Sequence, residues 1–151
     1  MILQNEPSGE NPLNKQRLQQ TRARIKEHLT LIESMKKDCE KKFPIDPIYR
    51  GALLHYLYLM ADTCITLAEQ AIRLKKLRPP QSYHEAFDIL GESGVLDSEF
   101  AYSFAAIAGF RNFLAHDYEK IEAKNICNEV LSKLDDVEIS LKQIEQTCLC
   151  C

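Results

Sequence analysis

Apolar residues along this chain recur every three or four positions over long stretches, and nowhere do β-branched residues alternate in the manner of a strand, so the pattern predicts helices throughout. Asn11-Pro12 opens the first helix, which stops near Lys42 because Pro44 biases Phe43 away from helical geometry. Asp46-Pro47 opens the second with a capping side chain followed by a residue whose missing N–H costs nothing there. An apolar-rich run from Ala52 to Leu74 follows, closed by Arg78-Pro-Pro80. Ser82-Tyr-His-Glu85 reads as a capping box that starts a short third helix ending between Gly91 and Gly94. Asp97 caps a fourth helix that runs through Phe100, Phe104, Ile107, Arg111 and Leu114, and a fifth spans about Glu122 to Gln146. With no internal repeat, the expectation is an all-α, antiparallel up-and-down bundle of about five helices. One domain of 1–151 is expected, with 1–10 and a cysteine-containing tail at 147–151 flexible.

A chain of 151 residues buries enough surface to fold without a metal or disulfide staple. No apolar run approaches the roughly 18 residues that cross a bilayer, and Met1 to Glu10 lacks the build of a signal peptide, so a cytoplasmic protein is expected. In that setting the six cysteines read as reduced thiols, with Cys39, Cys64 and Cys127 acting as small apolar groups inside helices. The terminal Cys148-Leu-Cys-Cys151 cluster has no partner pair at ligand spacing, so no metal and no cofactor are expected. The net charge of −3 argues against a general nucleic-acid coat. Its distribution is uneven, however. Lys15, Arg17, Arg22, Arg24 and Lys26 cluster in the first helix, and Arg73, Lys75, Lys76 and Arg78 form a second basic run, each readable as a solvated face or as a local track for RNA.

The stretch Gly109-Phe-Arg-Asn-Phe-Leu-Ala-His-Asp-Tyr118 places polar chemistry on an otherwise apolar helix. At about 100° per residue, Arg111 falls on the stripe of Phe100, Phe104, Ile107 and Leu114. A charge there must be paired or serve a cleft. A second row, Ala101, Ala105, Ala108, Asn112 and His116, is small enough to admit another helix, either as a dimer contact with Asn112 and His116 at its rim or as packing within one chain. Arg111 and His116 lie about 140° apart on a straight helix, so converging on one phosphate requires the helix to end near His116 or two copies to face each other, and both are expected. His28, His55 and His84 have no metal-ligand spacing and read as surface or packing residues.

RNA carries its own nucleophile in the 2′-hydroxyl, so cleaving it needs only proton transfer and charge stabilisation, tasks suited to an imidazole and a guanidinium. Arg111, Asn112 and His116, together with His116-Asp-Tyr118 and the wording Leu77-Arg-Pro-Pro-Gln-Ser-Tyr-His-Glu-Ala-Phe-Asp-Ile-Leu90 and Gly94-Val-Leu-Asp-Ser98, resemble the HEPN superfamily in the branch that supplies HepT toxins. The resemblance runs from about Asp46 to the final helix. It implies a homodimeric, metal-independent endoribonuclease in which Arg111 and His116 are catalytic and Asn112 assists. It also implies neutralisation by a cognate MntA-type nucleotidyltransferase antitoxin that places AMP on Tyr118. Where chains of the family it resembles commonly carry an acidic residue in the second helix, this one has Thr66 after Cys64-Ile65, a departure that touches only a supporting partner and leaves the catalytic motif intact. The rival expectations are a non-catalytic subunit presenting nucleotide or RNA to a nucleotidyltransferase, and a purely structural helical dimer in which an internal ion pair fully engages Arg111.

Overall fold

The computed structural model describes residues 11–149; the expectations for 1–10, Cys150 and Cys151 lie outside that range. Among the described residues there is no strand, and the chain is an all-α, up-and-down bundle built around one long central helix. Each start signal forms as the side-chain chemistry requires. The Asn11 side chain accepts from Leu13 N at 2.8 Å to begin α1 (Pro12–Lys36), and Asp46 accepts from Ile48 N and Tyr49 N to begin α3 (Pro47–Leu74).

Between them α1 stops at Lys36, short of the expected end, and a single turn, α2 (Cys39–Lys42), follows. The reason is tertiary. The Tyr49 hydroxyl donates to the Met35 carbonyl, and Arg50 Nη1 donates to the Phe43 carbonyl at 2.8 Å. Side chains of α3 thereby satisfy carbonyls that a longer helix would have paired internally.

Helix α3 is long and apolar enough, by length and composition, to match a bilayer span, which counting uninterrupted apolar runs does not detect. Its apolar positions are occupied, however. Leu53, Leu57, Leu67, Ala68 and Ile72 are almost fully buried, and α1, α4, α6 and α7 all pack on this helix. Each such leucine or isoleucine stabilises the fold by about 1.5–3 kcal/mol relative to exposure. The helix ends two residues before Lys76, whose φ of 54° lets Leu77 N reach back to the Ile72 carbonyl at 3.0 Å.

In α4 (Tyr83–Glu92) the Ser82 hydroxyl accepts from Glu85 N as the capping box requires, but Glu85 Oε1 takes the Gln81 N–H rather than that of Ser82. Gly94, at φ 84°, turns the chain into α5 (Ser98–Phe104), capped by Asp97. A Cβ on Gly91 would stand 2.8 Å from that of Ala101, so α4 and α5 meet where only glycine fits.

The expected single fourth helix is two. An i→i+3 bond from Ala108 N to the Ala105 carbonyl tightens the turn at Ala105 and starts α6 (Ala106–His116). The expected fifth helix is also interrupted. After a 3₁₀ turn at Tyr118–Lys120 that precedes the expected start, a π-helical stretch at Asn125–Val130 and a further 3₁₀ turn at Leu131–Lys133 come before α7 (Leu134–Cys148). These irregular turns let Ile126 and Leu131 both face the core, each 1% exposed.

The expectation of reduced cysteines is overturned for one pair. Cys39 and Cys127 form a disulfide with Cα atoms 5.6 Å apart, joining α2 to the π-helical stretch across 88 residues of sequence. Cys148, placed by sequence in a loose tail, is the last residue of α7 and is buried.

Candidate functional site

Arg111 points inward from α6 onto α3, as its place on the apolar stripe predicts, and its charge is met there. Nε donates to Asp62 Oδ1 at 2.9 Å, while the guanidinium carbon lies 5.2 Å from the Tyr58 ring centre and 5.3 Å from that of Tyr83. Hydrogen bonding to Asp62 first, and the charge on that carboxylate with it, hold the guanidinium firmly protonated against the partial loss of solvent. The planar group is thus held edge-on by a carboxylate and flanked by two aromatic rings, an arrangement for which a lysine ammonium has neither the fork nor the flat face.

The clamp is incomplete. Nη1 donates to the Asn112 side chain at 3.2 Å, and Nη2 has no partner among the described residues. The side chain keeps 19% of its surface exposed, and Asp62 keeps 41%, so both remain in reach of solvent. The structural reading in which Arg111 is fully consumed by an internal ion pair is therefore not met.

Asp62 and the two rings were not singled out by the sequence. Asp62 lies one turn before Thr66, where an acid was missing, and the Thr66 hydroxyl donates to the Asp62 carbonyl at 3.2 Å. Asp62 and Thr66, four residues apart, share one face of α3. Tyr83 lies against the arginine from the first position of α4. An i, i+4 relation between Tyr58 and Asp62 was the available signal, since both then face the same neighbour.

His116 ends α6, is exposed, and makes no hydrogen bond or ion pair among the described residues. Asp117 follows as the helix cap, paired with Lys120 at 3.5 Å, and Tyr118 stands 53% exposed in the next turn. The helix does end at His116, as convergence on one phosphate requires. Asn112 lies on the wheel between Arg111 and His116, and its carbonyl engages Arg111 rather than the histidine.

The alanine row divides. Ala101, Ala105 and Ala108 are at most 4% exposed and pack within the chain, so they are not a surface for a second copy. The exposed face of α6 is instead Ala106, Gly109, Phe113 and His116, which share a sector about 80° wide. Of the basic groups, Arg22 is bound by Glu145, and Arg78 by Glu85 and Glu92 at 2.9 and 3.0 Å, which draws both out of any nucleic-acid track. No cluster of metal-ligating side chains occurs among the described residues.

A helical bundle with Arg111 of α6 fixed against the central helix α3, an exposed His116 at the end of α6 and Tyr118 two residues on matches the pattern of the HEPN class that the sequence resembles. The sequence family described as Ribonuclease HepT-like matches residues 25–144, and the chain belongs to it. Among its relatives is the mRNA nuclease HepT of Shewanella oneidensis, 24% identical over 97 residues, or 64% of this chain and 73% of that protein. Among solved structures, the tri-AMPylated HEPN toxin of Shewanella oneidensis in complex with MNT antitoxin superposes with a TM-score of 0.77 at 22% identity, covering 85% of this chain and 96% of the other. YutE of Bacillus subtilis, a cytosolic protein of unknown function, superposes with a TM-score of 0.64 at 17% identity over 83% and 89% of the two chains. These superpositions show the fold.

Proposed function

We propose that this protein is the toxin of a toxin–antitoxin pair, a homodimeric endoribonuclease that cleaves RNA in the cytoplasm without a metal ion and is neutralised by a nucleotidyltransferase antitoxin. The observation that carries the reading is the half-open guanidinium. Arg111 is immobilised through Nε and two ring faces yet keeps Nη2 free, which is what a preorganised donor for a phosphate oxygen needs. The 2′-hydroxyl of the RNA attacks the adjacent phosphorus and the bond to the 5′-oxygen breaks. His116 moves the proton, taking it from the nucleophile or returning it to the leaving oxygen, at a pH where imidazole serves either role. Arg111 stabilises the charge that grows on the phosphorane, and Asn112 orients Arg111.

One histidine per chain is few for both proton transfers, and a second copy would supply the other. The exposed face of Ala106, Gly109 and Phe113 suits such a contact. A Cβ on Gly109 would meet nothing within 4 Å in the single chain, so a partner helix can approach closely there, with Asn112 and His116 at the edge.

Silencing would act on Tyr118. Its phenolic oxygen, accessible in the turn after α6, attacks the α-phosphorus of ATP, releases pyrophosphate and loses its proton. A bulky anion then sits two residues from His116.

The test is RNA cleavage in excess EDTA by the parent, His116→Ala and Arg111→Ala. The expected result is activity in the parent alone; equal cleavage by all three would refute the assignment.

A further inference from the structure

A deep cleft lies not at Arg111 but beside Tyr118, and we infer that it is the seat of the adenosine that Tyr118 carries once modified, so that silencing docks the nucleotide in cis. This rests on the modification of Tyr118 proposed above. The cleft encloses about 1000 Å³ between the start of α3 and the segment from Leu114 to Ala123, at the upper end of the roughly 300–1,000 Å³ typical of small-molecule sites.

Tyr118 itself forms part of the wall. A group attached to its hydroxyl is held next to the cleft at an effective concentration on the order of millimolar, so even weak affinity fills the site. Pro44, Pro47, Leu54 and Ile121 offer the apolar surface that a purine face needs. Arg50 and His55, on the α3 side, supply donors for phosphate and ribose oxygens. Across from them Glu119 and Glu122 can only accept, which suits the exocyclic amine of adenine and opposes a polyanionic RNA strand. Charge therefore favours one tethered mononucleotide over a stretch of substrate.

The cleft is also continuous with the proposed site. Tyr58 lines it and stacks on Arg111, and Leu114 and Ala115, between Arg111 and His116 in sequence, line it too. An occupant would press on the ring that positions the guanidinium and on the turn that carries His116. Inhibition would then come from a fixed nucleotide and not merely from added bulk.

Gly51 allows a clean perturbation. It lines the cleft, and a Cβ built on it meets nothing within 4 Å, so Gly51→Phe starts a bulky side chain from an open point on the cleft wall. The experiment is titration of the unmodified, ¹⁵N-labelled full chain with AMP, followed by amide shifts.

Saturable shifts at Gly51, His55, Ile121 and Ala123 are expected, weakened by about tenfold or more in Gly51→Phe with the remaining spectrum unchanged. No saturation by about 20 mM AMP overturns the seat, because a tether at millimolar effective concentration could not then fill it. Tighter binding of an oligouridylate at the same amides overturns it as well and makes the cleft an RNA subsite. Mass spectrometry of Tyr118 after co-expression with the nucleotidyltransferase separates the two ideas. Modified Tyr118 without AMP binding refutes the seat alone, whereas AMP binding with Tyr118 unmodified refutes the modification.

Discussion

Replacing Arg111 by lysine keeps the positive charge and removes the planar fork, and its cost can be worked from the contacts. The ion pair with Asp62 is partly exposed on both sides, so solvent screening limits its worth to about 1 kcal/mol or less. Each aromatic face adds about 0.5–1 kcal/mol at such a site. A lysine retains part of the Coulomb term and little of the stacking, so Arg111→Lys should lower unfolding free energy by about 1–2 kcal/mol. Catalysis should suffer more. One preorganised donor at a developing oxyanion contributes about 2.7–4 kcal/mol, or roughly 10²- to 10³-fold in rate. An ammonium on a flexible stem, drawn back toward Asp62, does not recover it. The assays are a urea titration of the variant and single-turnover cleavage of a labelled RNA in EDTA at saturating protein. A folded Arg111→Lys that cleaves within threefold of the parent would show that charge alone suffices, and the argument from Tyr58, Tyr83 and the fixed Nε bond would fall.

Other outcomes follow from the fold. The Cys39–Cys127 bond closes an 88-residue loop, and loop-closure entropy puts its contribution at about 2–5 kcal/mol; the Cys39→Ser, Cys127→Ser double variant should show that loss in urea without dithiothreitol, and a parental midpoint would mean the bond does not form in solution. His28 is 8% exposed, and its pKa is pushed below 6.5 by burial, with Glu27 opposing and Arg24 and His55 assisting. The unfolded chain therefore binds more protons than the folded one as pH falls below 6.5, so stability declines from there until the folded pKa is passed. His28→Leu should flatten the change in urea midpoint between about pH 7.5 and 5.5; an unaltered slope would assign the acid loss to other groups.

The bundle was legible because helix starts are local. Asn11, Asp46, Ser82 and Asp97 each bond to backbone donors two or three residues away, and the apolar spacing orients each helix without reference to its partners. The inward aim of Arg111 was readable for the same reason, whereas the end of α6 at His116 was expected only from the need for the two side chains to converge. What the tertiary structure alone decided is who meets whom. Asp62, Tyr58 and Tyr83 surround Arg111 from two other helices, Tyr49 and Arg50 end α1 and α2 early, and Cys39 finds Cys127 across 88 residues. Spacing along a helix reports which face a residue occupies, but contacts between distant segments depend on how the helices pack, and a single sequence read by local periodicity does not contain that geometry.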